Sequence, residues 1–181
     1  MGCGCIKARQ IPLPTGPTSS IGFGTNAPTQ LGSLKPMRVF LDASVLVAAS
    51  ERSHPQHLQA LPVMRRVVRG EDEGFVAAPS IAETFAALTQ LPVQPRIHPS
   101  EAGQIVRDNI VRHFRLVTAG KVEHLQALIN VQEGGWPGTR IHDALVLACA
   151  ICCEAERIYT FKPRELQDLC FPGFRSRISA P

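Results

Sequence analysis

The stretch Arg38-Val39-Phe40-Leu41-Asp42-Ala43-Ser44-Val45-Leu46-Val47 constrains the fold most. A β-branched and aromatic run ends on a carboxylate, and a turn of small residues leads straight into an apolar, helix-compatible run. It reads as strand, acidic turn, helix. In open α/β sheets ligands bind outside the carboxyl ends of the strands, so Asp42 is expected at the edge of a site rather than in a core. Two later acids, Glu83 and Asp143, each fall in the first turns of an expected helix. Three carboxylates brought together repel one another, and that points to a hard divalent cation held by oxygen ligands.

The 181 residues suit one domain with a core of its own. Residues 1–36 differ from the rest, with five prolines, six glycines and no sustained period, the composition of a disordered tail. They begin Met1-Gly2-Cys3-Gly4-Cys5-Ile6, and Ile6 stands where an N-terminal acylation signal wants Ser or Thr. Met37, directly before the first strand, is an alternative start of translation, which would leave residues 1–36 outside the native product. The tail carries Lys7, Arg9 and Lys35 and no acid, which leaves 16 basic against 15 acidic residues beyond it. The folded part is nearly neutral, so bulk charge does not argue for nucleic-acid binding, although a local basic rim could act.

The longest apolar run, Ala144 to Cys153, has ten residues, too few for a membrane span. Cys149, Cys152 and Cys153 share one helix face as small hydrophobes, which fits reduced thiols and a cytoplasmic protein. From Met37 the elements alternate. Strands are expected at 38–42, 74–78, 115–118 and 157–161, with helices at about 43–51, 55–69, 79–90, 100–113, 122–131, 140–155 and 164–169, then a C-terminal strand or tail. Ser80 and Thr139 are the expected caps of the third and sixth helices. Ile81, Phe85 and Leu88 form the expected apolar stripe of the third, leaving Glu83 free to face a cleft. Arg65, Arg66 and Arg69 read as a solvated basic turn. The architecture is three-layered α/β/α with a mostly parallel sheet.

The order Val39-Phe40-Leu41-Asp42-Ala43-Ser44, Pro79-Ser80-Ile81-Ala82-Glu83, Ile141-His142-Asp143-Ala144-Leu145 and Ile158-Tyr159-Thr160-Phe161 resembles PIN-domain proteins of the VapC toxin type. The resemblance implies an Mg²⁺- or Mn²⁺-dependent endoribonuclease, commonly a homodimer, often neutralised by an antitoxin protein. Carried over residue by residue, Asp42 and Asp143 are the metal ligands, and Glu83 is a ligand or orients a coordinated water. Ser44 and Thr160 support the cluster, and Arg140 steers a substrate phosphate. Lys162 departs from the pattern, since the family often has an acid or Asn there. It contacts a phosphate, pairs with the acids, or marks a weakened site, and Glu165 on the following helix offers a compensating carboxylate.

Other readings remain. A haloacid-dehalogenase-like phosphatase also puts an aspartate after its first strand but wants a second one two residues on, where this chain has Ser44. A catalytically idle PIN-like binding module is the other, with Lys162 as its sign.

Overall fold

A computed structural model describes residues 35–181. Most of the expected tail, residues 1–34, lies outside the described residues. Strand β1 (Arg38–Leu41) is the centre of a five-stranded parallel sheet ordered β3-β2-β1-β4-β5, with β2 at Glu73–Ala77, β3 at Arg115–Val117, β4 at Arg157–Tyr159 and β5 at Ile178–Ser179. The C-terminal segment is thus a strand. Phe40 pairs with Phe75 on one side and Ile158 on the other, so the first strand is covered along both edges and on both faces. The apolar run Val39–Leu41 is what that double burial requires, with Arg38 only half-buried at the strand's start.

Alternation along β1 sends Val39 and Leu41 to one face and Phe40 to the other. The first face packs against α1 (Ala43–Ser50), α2 (His57–Val68), α3 (Ala78–Gln90) and α4 (Pro99–Ile105), which continues as a π-helical segment over Val106–Val111. The second face packs against α6 (Ile141–Cys152), α7 (Pro163–Leu169) and α8 (Pro172–Arg175), with α5 (Lys121–Glu133) laid against α6. Gly74 permits one close approach: a Cβ there would collide with Val67 and stand 2.6 Å from the Phe114 ring, so β2 can slide under that aromatic only without a side chain.

Local details correct the sequence reading. Ser80 does not cap α3: Ala77 occupies the cap position, and Ser80 lies fully buried one turn in. The buried stripe of α3 is Ser80, Thr84 and Leu88, while Phe85 is 38% exposed. Of the expected stripe, Leu88 is fully buried and Ile81 packs against the core, while Phe85 turns outward and the small hydroxyl residues Ser80 and Thr84 are buried. Thr139 does not cap α6 either; it belongs to a 3₁₀ turn, Gly138–Arg140, and Arg140 holds the cap position. α4 starts at Pro99, with the His98 ring accepting from the Ser100 amide. Arg66 is no freely solvated cation: it grips buried Asp72 through two bonds of 2.6 and 3.0 Å. Cys149 and Cys153 are buried, Cys152 is half-buried, none of the three is in a disulfide, and burial pushes the Cys153 thiol up to about 12.

Candidate active site

Starting from β1, the chain adds β2 and β3 on one side of it, then returns to add β4 and β5 on the other. The topological switch therefore falls between β1 and β4, where strand order opens a crevice at the carboxyl ends. Asp42 and Thr160 stand there, one residue beyond each strand.

Asp42 has the extended backbone of a helix cap (φ −74°, ψ 156°), yet its side chain caps nothing. Its Oδ2 accepts instead from Ser44 Oγ at 2.7 Å and from Thr160 Oγ1 at 2.9 Å. Each hydroxyl has its direction set from behind. The Phe161 amide donates to Ser44 Oγ at 3.2 Å and the Lys162 amide to Thr160 Oγ1 at 3.1 Å. An amide can only donate, so each hydroxyl accepts there and must spend its proton on the carboxylate. Both bonds fall on Oδ2, and among the described residues nothing donates to Oδ1.

Asp143 lies in the first turn of α6. Arg140 Nη1 is 3.2 Å from its Oδ2 and 3.3 Å from Glu165 Oε2, and Nη2 donates to the Glu165 carbonyl. The guanidinium also sits 5.5 Å over the Trp136 ring, and its side chain is only 15% exposed. Arg140 is thus held by α6 and α7, beside the acids it was expected to serve. Burial raises the Asp143 pKa; Arg140 opposes the rise, Glu165 adds to it, Lys162 opposes it and Asp42 adds to it. Glu83 projects from α3, off the buried stripe as expected. Partial burial raises its pKa first, then the Asp42 charge, with His142 acting against and Asp143 adding.

The three predicted acids therefore come from three elements into one field: the Asp42 charge raises the cost of ionising Glu83 and Asp143, and the Asp143 charge raises that of Glu83. They do not close into a cage: among the described residues no group of three or more His, Cys, Asp or Glu is arranged to hold one ion. The donor chemistry still fits a hard cation. Mg²⁺ binds through one or two carboxylates and keeps several waters, and Asp42 with either neighbour supplies that all-oxygen set. Lys162, exposed, and Glu165 complete the rim. The Trp136 platform and the paired role of Glu165 were not legible beforehand, because both depend on the loop between α5 and α6 folding back onto α7.

A parallel α/β sheet with acids gathered at the switch point of its central strand defines a class of carboxylate-site α/β proteins. A model of the PIN domain matches residues 39–169, and the chain belongs to that family. No curated protein matches the sequence significantly. Among solved structures, Mycobacterium tuberculosis VapC20, named as a sarcin–ricin loop cleaving toxin, aligns with a TM-score of 0.55 at 15% identity over 70% of this chain and 92% of its own. Rickettsia felis VapBC2, bound to a DNA fragment from its promoter, aligns at 0.51 and 13% identity over 72% and 92%. A Pyrobaculum aerophilum protein gives 0.51 and 17% over 74% and 79%. At such identities these are likenesses of fold.

Proposed function

We propose that this chain is a divalent-cation-dependent endoribonuclease, acting as the toxin of a toxin–antitoxin pair, with residues 37–181 as the nuclease domain and residues 1–36 as an extension. The observation that carries the reading is the Asp42 carboxylate, oriented by two hydroxyls through one oxygen and left open at the other, beside two further acids whose ionisation is disfavoured without a cation. Phosphodiester hydrolysis needs charge stabilised on the non-bridging oxygens and an activated water. An Mg²⁺ or Mn²⁺ ion, when bound, supplies both.

The chain's own residues divide the remaining work. Asp42 and Asp143 hold the ion, and Glu83 is a third ligand or orients a coordinated water. Ser44 and Thr160 keep Asp42 in one rotamer, and Arg140 keeps Asp143 and Glu165 in place. Lys162, exposed and close enough to act on Asp143, is a cation of the rim suited to a substrate phosphate. RNA as substrate, an antitoxin as partner, a homodimeric state and a cytoplasmic setting follow from the family resemblance. Among the described residues no helix is long and apolar enough to cross a membrane.

A second reading has one observation in its favour. Arg140 and Lys162 already place positive charge against Asp143, as an idle binding module without a metal would need. The test is cleavage of a mixed RNA pool by the full chain with Mg²⁺, with Mn²⁺ and with EDTA, alongside Asp42→Asn and Asp143→Asn. Metal-dependent cutting lost in both variants supports the nuclease. A folded protein that neither cuts nor binds Mn²⁺ in a calorimetric titration establishes the idle module.

A further inference from the structure

Beside the carboxylates lies a cavity of about 240 Å³ that the catalytic reading does not use. It opens at the carboxyl ends of β2 and β3, between the first turns of α3, α5 and α6. Ala77, Val146 and Cys149 make its apolar floor, and Glu83, His124 and His142 bring polar groups to its lining. Two of these residues tie it to the acidic site: Glu83 belongs to both, and His142 directly precedes Asp143. Ala78 and Ala119, with Pro79 and Leu145, also line it.

We propose that this cavity receives a single unstacked nucleobase of the RNA, next to the phosphodiester bond held at Asp42 and Asp143. The inference rests on the nuclease reading above and adds to it where sequence preference is decided. The chemistry is that of single-stranded RNA recognition: a base leaves its stack, its faces meet apolar or imidazole surface, and its edge meets a few fixed donors and acceptors. The His124 ring is one such fixed group. Its Nδ1 lies 2.8 Å from the Gly120 carbonyl, which only accepts, so the Nδ1 carries the proton and Nε2 of the neutral ring is an acceptor. The Glu83 carboxylate adds a second acceptor and the Thr118 hydroxyl, also in the lining, an adjustable donor or acceptor. A base edge rich in N–H donors is the match for that set. The volume suits one heterocycle and excludes a base pair, so the cut strand is expected to be unpaired at that nucleotide.

The deciding experiment titrates the full chain in EDTA with the four nucleoside 5′-monophosphates, following the ring proton resonances of His124 and His142, with ribose 5-phosphate as the base-free control. In parallel, Ala119→Phe fills the cavity without replacing any acid of the site, and cleavage positions are mapped by sequencing. Expected are saturable shifts of both histidines with at least one nucleotide and none with ribose 5-phosphate, and in Ala119→Phe about a tenfold loss of kcat/KM, the size of one base contact, with flattened cut-site preference. Nucleotide-induced shifts in a protein that never cuts RNA would keep the pocket and remove the nuclease. RNA cutting with unshifted histidines and an unchanged Ala119→Phe cleavage map would overturn the pocket and leave the nuclease. Shifts produced equally by ribose 5-phosphate would also overturn it, as they report a phosphate site. Should Ala119→Phe fail to fold, the titration of the unaltered protein decides alone.

Discussion

The two ends of the sheet each carry an acidic residue beside β1, and they are treated in opposite ways. At the amino end, Asp72 is 6% exposed and satisfied from every side: Arg66 binds both its oxygens, and the Met37 amide donates to Oδ1 at 3.4 Å. At the carboxyl end, Asp42, Glu83 and Asp143 share one field, with Arg140 held between Asp143 and Glu165 and the exposed Lys162 outside. Asp72 is an acid supplied with its own cation, which is how a fold uses a buried carboxylate for structure. The other group is short of positive charge, which is how a fold keeps a carboxylate available for something that arrives from outside.

The largest effect expected from this contrast is on activity. Asp42→Asn keeps a carbonyl oxygen for Ser44 and Thr160 and therefore the local hydrogen bonds, but removes the charge. RNA cleavage should fall by about 10²- to 10³-fold, the loss typical of deleting a group that stabilises transition-state charge, with the melting temperature unchanged or higher. Asp143→Asn should behave alike. A variant that melts early while retaining its cleavage rate would make the carboxyl end structural and erase the distinction between the two ends.

Arg66→Ala tests the other end and should do the reverse. It leaves Asp72 buried without its cation, so the melting temperature should drop by several degrees while kcat on RNA holds. Loss of cleavage in a protein of normal stability would show that the ends are coupled.

Ser44→Ala and Thr160→Val probe an intermediate effect. Each removes one of two donors to Asp42 Oδ2, and each affects how the carboxylate is aimed rather than whether it is there. Removing an outer-shell partner of a metal ligand typically costs 10- to 100-fold in affinity, so each variant should bind Mn²⁺ about tenfold more weakly in calorimetry. Equal affinity in both variants would mean that Asp42 needs no orienting.

How much of this could be read beforehand differs between the same two ends. The strand and helix order from Arg38 to Leu169 was legible from periodicity, since each apolar run has one period and a Pro, Gly or acid at its end. The acids Asp42, Glu83 and Asp143 were legible because each breaks a hydrophobic pattern at the mouth of an element. Asp72 was not: it sits in a charged turn, Gly70-Glu71-Asp72, and only the pairing of Met37 and Glu73 across two strands buries it. What holds Arg140 was hidden for a similar reason. A cation three residues ahead of an acid looks free in the sequence, while Trp136 and Glu165 claim it through contacts that span the loop and α7. The stripe of α3 was legible at Ile81 and Leu88 and missed at Phe85, because fully buried positions on that helix take the small hydroxyl residues Ser80 and Thr84.

The smallest expected effect is on stability as pH changes, and it follows from the sign of the two raised carboxyl groups. For Glu83, burial and the Asp42 charge disfavour ionisation in the folded state, so the folded protein holds its proton more tightly than the unfolded chain does. The penalty is absent below both pKa values and complete above the folded one. Stability is therefore lost as pH rises through the window that begins near the ordinary glutamate value of about 4.3. Glu83→Gln removes one such group, so the variant should gain on the parent as pH rises from about 3 to about 7, by less than any change above because the side chain keeps much of its contact with solvent. Mg²⁺ or Mn²⁺ should narrow that gap at neutral pH by supplying the missing charge, and should do nothing near pH 3, where the carboxylates are protonated. Denaturant midpoints across that range, with and without metal, give the answer directly. Parallel curves for parent and variant would mean that Glu83 feels no excess of negative charge, and the carboxyl end would then be as well satisfied as Asp72 is.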